Sequence, residues 1–213
     1  MTASTAGIVC FDRVTGGWTE GSPVVRNLTA QFERVGVTIL AGPNGTGKST
    51  LAELISGYLR PWEGTVQIDG LPAHSPLARE RRRICRTAPA LFGLMTVRDH
   101  LVLSARSAGG DVARQLARAE AMGLGPWLAE NAGTLSSGTA KKLWYLFCTA
   151  GDFDLTVLDE PFNALDAAAV DAVLEEVGGW ARSRCVVLIA HQPPVGLAAD
   201  HTFVLSPWAV RGV

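Results

Sequence analysis

The residues from 42 to 50 carry the strongest chemical signal in this sequence. They satisfy the pattern G-x-x-x-x-G-K-[ST] and extend it by one threonine, with the members Gly42, Pro43, Asn44, Gly45, Thr46, Gly47, Lys48, Ser49 and Thr50. Glycines let the backbone turn tightly, so that successive N–H groups point at phosphate oxygens, and Lys48 can neutralise the β and γ phosphates. The Ser49 hydroxyl suits Mg²⁺, which prefers a few protein oxygens together with phosphates. This phosphate loop is therefore predicted to bind a nucleoside triphosphate and its metal ion.

A pair of carboxylates and a histidine follow apolar runs in the second half of the chain. Asp159 and Glu160 end one such run, and His191 directly follows another. Because strand ends in such sheets face the ligand, Asp159 is expected to reach the magnesium ion, and Glu160 to orient and deprotonate the attacking water. His191 is expected to contact the γ-phosphate, so the predicted catalytic set is Glu160, His191 and Lys48. Without the phosphate loop, a solvated acidic strand end and a structural histidine would be the better interpretations.

Apolar periodicity predicts the elements that must position these residues. Leu51, Leu54, Ile55 and Tyr58 recur at the spacing of a buried helical face directly after the phosphate loop. Alternating or continuous apolar runs predict strands at residues 8–11, 24–28, 37–40, 66–68, 155–158 and 185–190. Several short helices are predicted between 97 and 133, one near 143–150, and one that begins near 170 and ends at Gly178–Gly179. The alternation of strand and helix in the second half predicts a buried parallel sheet.

The composition limits the functions that the chain can serve. With 19 basic and 20 acidic residues there is no electrostatic case for a nucleic-acid partner, and the basic run 79–83 is interpreted as a solvated face. The apolar runs are shorter than the roughly 20 residues that span a bilayer. The scattered cysteines favour neither a zinc site nor a disulfide framework, and residues 1–7 do not look like a secretion signal, so the cytoplasm is the expected compartment. ATP is favoured over GTP because no Asn-Lys-x-Asp segment occurs.

The segment Leu135-Ser136-Ser137-Gly138-Thr139 completes an ordered series of motifs. Together with the phosphate loop, the Asp-Glu strand, the segment from Asn163 to Asp166 and the later histidine, it resembles the nucleotide-binding domain of ABC transporters over nearly the whole chain. The resemblance implies one domain over 1–213 with an α/β, P-loop NTPase fold. That fold has a mixed sheet with a parallel core flanked by helices, an N-terminal antiparallel β lobe, and a small α-helical subdomain at approximately 97–150.

The resemblance also implies how ATP and the partners are bound. In the family two cassettes pair head to tail, so that Ser136, Ser137 and Gly138 of one close over the ATP held by the other. Trp18 stands where the family places an aromatic ring that stacks on adenine, with a core tryptophan as the equal alternative. The chain is then expected to be a Mg²⁺-dependent ATPase that powers transport by a membrane-spanning permease subunit. It would lie at the inner face of the cell membrane and pair with an identical or a different cassette.

A docking site for the permease is expected in the groove between the two lobes, near residues 87–97. Phe92, Leu94 and Met95 would line it, with core packing as the equal alternative. The transported substance is not encoded in this chain, since in the family it is selected by the permease.

Two departures from the family pattern bear on turnover. No glutamine occurs in 86–91, where the family uses one to touch the magnesium ion, and the aligned place holds Thr87 or Ala88. The signature segment has Ser137 for a glycine and Thr139 for a glutamine, which predicts slower hydrolysis and raises the hypothesis of a different partner cassette with a complete signature. The alternatives are an ATP-gated regulatory module without useful hydrolysis, and an ABC protein of translation or DNA repair.

Overall fold

The computed structural model describes residues 7–190 and 193–205, which form two sheets and the helices packed on them. The strands are β1 (Val9–Gly16), β2 (Val25–Phe32), β3 (Gly36–Ala41), β4 (Glu63–Ile68), β5 (Leu71–Pro72), β6 (Arg82–Cys85), β7 (Leu155–Asp159), β8 (Cys185–Ile189) and β9 (His201–Val204). The helices are α1 (Lys48–Ser56), α2 (Pro76–Glu80), α3 (Val97–Ser107), α4 (Val112–Ala121), α5 (Ser137–Cys148) and α6 (Ala167–Ala181).

The first sheet is antiparallel and has the strand order β2-β1-β4-β5. Its inner face is made by buried residues such as Val9, Phe11 and Val14 of β1. These alternate with more exposed neighbours, as expected for an antiparallel sheet with one face in solvent. Phe11 and Phe32 meet edge to face in the same core, with ring centroids 5.7 Å apart. This core also takes in the apolar face of α1, so the predicted N-terminal antiparallel lobe packs directly on the helix that follows the phosphate loop.

The second sheet is parallel throughout and has the order β6-β7-β8-β3-β9. All five residues of β8 are buried, as expected for a central strand covered by helices on both faces. The predicted parallel core is therefore present, and the antiparallel strands lie in a sheet of their own among the described residues. The order places β8 between β3, which leads into the phosphate loop, and β7, which ends in the carboxylates.

The helices α3, α4 and α5 pack on one another around a second core that includes Leu101, Leu143 and Leu146. Helix α3 starts with a capping box, in which Thr96 and Asp99 satisfy each other's backbone N–H groups. His100 is fully buried there and receives the Phe92 N–H on Nε2 at 3.0 Å. This histidine therefore has a structural role.

Three details of the sequence prediction are corrected by the structure. The basic run 79–83 is not wholly a solvated face, because Arg82 begins β6, is only 4% exposed and donates from its guanidinium to the Ser56 carbonyl. The final helix does not end at Gly178–Gly179 but continues to Ala181, since Trp180 is buried against Tyr145 and Phe153 and holds the last turn. Strand β9 was not predicted; it pairs with β3 at the edge of the parallel sheet.

Candidate functional site

The register of the parallel sheet brings the phosphate loop and the carboxylates to one edge. In β8, Ile189 pairs with Leu40 of β3 on one side and with Asp159 of β7 on the other. Neighbouring strands lie about 4.8 Å apart, so the ends of β3 and β7 are separated by about 10 Å. The loop at 42–49 and the Asp159–Glu160 pair therefore flank one shallow space at the carboxyl end of the sheet, where α/β proteins bind ligands.

Helix α1 begins without a side-chain cap among the described residues, so its first-turn N–H groups face the loop. The N-cap Gly47 has φ 99°, and a Cβ there would lie 2.9 Å from Val24 Cγ1, so only glycine fits this bend without strain. Lys48 follows, and its Nζ donates to the carbonyls of Gly42 at 2.7 Å and Pro43 at 3.0 Å. The lysine charge is thus held inside the loop, beside backbone donors that suit an anion.

Asp159 and Ser49 form the pair of oxygen donors at this edge. Burial raises the pKa of the Asp159 carboxyl above its usual value, and hydrogen bonds from Thr87 and Ser49 and the charge of Lys141 oppose that rise. Ser49 lies in the first turn of α1 and Asp159 ends β7, so both belong to this edge of the sheet. A hydroxyl beside a carboxylate, with room for phosphate oxygens, matches the hard oxygen donors that Mg²⁺ requires, so these residues could hold that ion.

Glu160 occupies a strained backbone position next to this pair. Its φ is 50°, in the left-handed region that side chains other than glycine seldom adopt. Its N–H donates to the Ile189 carbonyl at 2.9 Å, which fixes the residue against the end of β8. Strain of this kind clusters at functional sites because the surrounding structure must hold it. His191 lies outside the described residues, so its predicted contact with a γ-phosphate stays a prediction.

Trp18 lies beside the start of α1. Its Nε1–H donates to Thr50 Oγ1 at 3.3 Å, and its ring is tilted against Tyr58 with centroids 6.5 Å apart. The side chain is 57% exposed, so the alternative interpretation as a core tryptophan is wrong. An exposed indole face next to the phosphate loop is available for stacking.

The predicted signature segment forms the N-terminus of α5. Ser136 is the N-cap, and its Oγ accepts from the Thr139 N–H at 3.2 Å and lies 2.8 Å from Thr139 Oγ1. Ser137 and Gly138 form the first turn, and a Cβ on Gly138 would lie 2.7 Å from the Ala164 carbonyl oxygen. Ser136 and Ser137 therefore place a side-chain cap and a hydroxyl-bearing first turn at the start of this helix.

Sequence reasoning missed an ion pair that borders the site. Glu53 of α1 is 9% exposed, and Arg86, just after β6, donates to both of its carboxylate oxygens at 2.6 and 2.8 Å. Glu53 lies between Ala52 and Leu54 in a stretch of buried positions. Because a buried carboxylate needs a partner cation, this position was the signal in the sequence. The pair connects the phosphate-loop helix to the segment where the family glutamine was expected.

Comparison with known proteins agrees with this geometry. The family model described as ABC transporter matches residues 25–163. An ABC transporter ATP-binding protein of Pyrococcus furiosus is 31% identical over 93% of this chain and 81% of its own length. The biotin transport ATP-binding protein of Rhodobacter capsulatus is 32% identical over 82% of this chain and 76% of its own.

A solved structure shows the same architecture. The ATP-binding subunit of an ABC transporter superposes with a TM-score of 0.81 at 26% identity, over 93% of this chain and 85% of that one. The match of the family model to 25–163 agrees with the sheet order, the uncapped N-terminus of α1 and the strained backbone of Glu160. This chain belongs to the ABC transporter family, as a nucleotide-binding domain with the P-loop fold.

Proposed function

We propose that this chain binds Mg²⁺-ATP and hydrolyses it to power a separate membrane-spanning permease. The observation that carries the proposal is the shared edge of the parallel sheet, where Leu40 and Asp159 flank Ile189. Relatives named as biotin and taurine transport ATP-binding proteins support the general role in ATP-driven transport.

The phosphates would lie in the bend at 42–49. The uncapped first turn of α1 supplies N–H donors, and Lys48, now bonded to loop carbonyls, would turn to the β and γ phosphates. The base would stack on the exposed face of Trp18. Ser49 and Asp159 would hold Mg²⁺, which supplies charge neutralisation at the phosphates when it is bound.

Glu160 would carry out the proton chemistry. Its backbone is fixed by the bond to Ile189, so its carboxylate can orient one water toward the γ-phosphorus and accept a proton as the P–O bond to ADP breaks. The products are ADP and inorganic phosphate. His191, which follows β8 in the sequence, is proposed to donate to the γ-phosphate.

A second cassette would close the site. Ser136, Ser137 and Gly138 lie at the N-terminus of α5, where N–H groups and a hydroxyl suit an anion. We therefore propose that they cover the ATP of a partner cassette, identical or different, while the partner covers the ATP held here.

The permease would dock in the groove bordered by Phe92 and Leu94. These side chains are 58% and 93% exposed, which is unusual for large apolar residues and argues against core packing. A cavity of about 740 Å³ is lined by Phe92, Leu103 and Phe147, whereas Leu94 lies outside its lining. Within 7–190 and 193–205 no helix has the length and apolar character needed to cross a bilayer, so the proposal assigns the span to another protein. We also propose that the region of approximately 97–150 forms a helical subdomain within one domain.

Phosphate release by the purified chain tests the proposal. We expect turnover with ATP and Mg²⁺, none with EDTA, and a loss of at least 100-fold in Glu160→Gln with ATP binding retained. Arg114→Gln, an exposed cation remote from the site, serves as the control and should match the original chain.

Two other outcomes would separate the alternatives. ATP binding without any phosphate release, even with permease and membranes present, would favour the ATP-gated regulatory module. That alternative has support in the missing glutamine and in a signature serine that is bonded within its own chain. No binding of ATP would contradict both functions.

A further inference from the structure

Two side chains of α5 hold two consecutive carbonyl groups at the end of β6. Lys141 Nζ donates to the Thr87 carbonyl at 2.7 Å, and Trp144 Nε1 donates to the Arg86 carbonyl at 2.8 Å. Residues 141 and 144 are three apart and so share one face of the helix. The helix that starts with the signature segment is therefore bonded directly to the segment that lacks the family glutamine.

The same short segment contacts both halves of the nucleotide site. The Arg86 guanidinium is bonded to Glu53 of α1 through both carboxylate oxygens. Thr87 Oγ1 donates to the Asp159 backbone carbonyl at 3.4 Å, at the end of β7. Any displacement of α5 is thus transmitted through residues 86 and 87 to the phosphate-loop helix and to the end of β7.

Lys141 is an unusual residue for this place, because it is 4% exposed. Burial lowers the pKa of its ammonium, and the neighbouring Cys85, Asp159, Cys148 and Glu160 oppose that change. A buried lysine is costly unless it is bonded and faces negative charge. Here the two conditions are met by the Thr87 carbonyl and by the carboxylates at the end of β7.

We propose that Lys141 is a positioning residue for ATP hydrolysis: it fixes the Arg86–Thr87 segment next to the end of β7, where Asp159 and Glu160 lie. The inference rests on the proposed ATPase function and adds to it the residue that links the two lobes. It assigns to a lysine of α5 the connection that the absent glutamine leaves open. The effect of Lys141 is exerted through Thr87, whose side chain bonds the Asp159 carbonyl.

The test compares Lys141→Met, which loses the charge and the donor, with Lys141→Gln, which keeps an N–H for the Thr87 carbonyl. We expect kcat to fall at least tenfold in the first and about threefold in the second, with the Kd for ATP within threefold of the original in both. The thermal midpoint should change little, since methionine fills the same space without a buried charge. Arg114→Met, in α4, is the control and should change none of these quantities.

A second readout does not need turnover. Hydrogen exchange of the peptide that contains Arg86 and Thr87 should accelerate at least fivefold in Lys141→Met and remain unchanged in Arg114→Met. Trp144→Phe, which removes the neighbouring donor, should accelerate the same peptide and lower kcat about threefold. If Lys141→Met does not fold, Lys141→Gln and Trp144→Phe decide the question by the same two readouts.

Three results would overturn the inference. One is a kcat for folded Lys141→Met within twofold of the original. Another is unchanged exchange at 86–87. The third is a parallel fall of kcat, ATP affinity and thermal midpoint, which would mean that Lys141 only supports the core. Failure of the ATPase proposal is visible separately, because it appears as absent phosphate release in the unsubstituted chain, where the exchange experiment still applies.

Discussion

Helix α1 begins at a glycine-rich loop and helix α5 at a Ser-Ser-Gly segment, and the backbone N–H groups of their first turns have different partners. At α1 the N-cap is Gly47 in a left-handed conformation, and no side chain of the described residues caps the first turn. At α5 the N-cap is Ser136, whose hydroxyl accepts from the Thr139 N–H and contacts its hydroxyl. One helix start is open to an anion, whereas the other is closed by its own chain.

The difference indicates how far each half of the proposed site is organised before nucleotide arrives. The phosphate loop already holds Lys48 inside the bend and needs little rearrangement to receive phosphates. The signature serine must exchange its bond to Thr139 for one to a phosphate oxygen, which reduces the net gain from closure. Threonine in place of the family glutamine therefore gives a physical reason to expect slow turnover.

The largest effect is expected from closing the open helix start. In Gly47→Ala, the new Cβ would lie 2.9 Å from Val24 Cγ1 at a φ that disfavours side chains, so the loop must change its bend. We expect ATP affinity to fall at least 100-fold by fluorescence titration. Gly178→Ala is the matched control. Gly178 is an exposed residue of α6 with open space around it, so the substitution should stabilise the fold by about 0.5–1 kcal/mol without changing ATP binding.

The second-largest effect is expected in the C-terminal half of α5, where buried side chains should hold the helix rigidly in place. Tyr145 donates to Glu176 at 2.8 Å, and Arg118 bonds the same carboxylate through two nitrogens. Glu176→Gln leaves the mostly buried Arg118 without a counter-charge, so unfolding should require about 2 kcal/mol less free energy. Chemical denaturation measures this. An unchanged midpoint would show that α5 is held by packing alone.

Ser136→Ala removes the side-chain cap at the N-terminus of α5. Loss of the cap should destabilise the protein by about 1 kcal/mol, and ATP hydrolysis should fall about tenfold if the hydroxyl also serves a partner's phosphate. Asp111→Ala removes a cap of the same kind from α4, away from the site. It should cost similar stability with no loss of hydrolysis. Equal hydrolysis by the two variants would reduce Ser136 to a structural cap.

The smallest expected effect is a pH dependence where α5 meets α6. Lys142 and the Ala169 N–H bond the Asp166 carboxyl and lower its pKa from the ordinary value of 3.8. Because the folded-state pKa is the lower one, the stabilisation is present above about pH 3.8 and is lost as pH falls through the folded value. The thermal midpoints of Lys142→Met and the original chain should therefore differ slightly at pH 7 and converge as the pH falls below 3.8 and through the folded-state pKa.

The fold and the phosphate edge could be read from the sequence because local patterns specify them. The bend at 42–49 needs only glycines, a preceding strand and a following helix, and the apolar run before Asp159 fixes where β7 ends.

What the sequence could not reveal depends on contacts between distant residues. Strand β6 was hidden because Arg82 is basic, and its burial is possible only through the bond to Ser56, 26 positions earlier. The role of Lys141 was equally hidden, since its partner carbonyl at Thr87 lies 54 positions away. Long-range pairing of this kind leaves no local periodicity, so a charged residue in such a place looks like a solvated one.

Calorimetric titration of Mg²⁺-ATP into the purified chain and into Lys48→Ala tests whether the loop at 42–49 binds the nucleotide. The account predicts one site per chain in the original protein and an affinity at least 100-fold weaker in the variant, because the loop loses the charge held by Gly42 and Pro43. Equal affinity for ATP in the two proteins would contradict it.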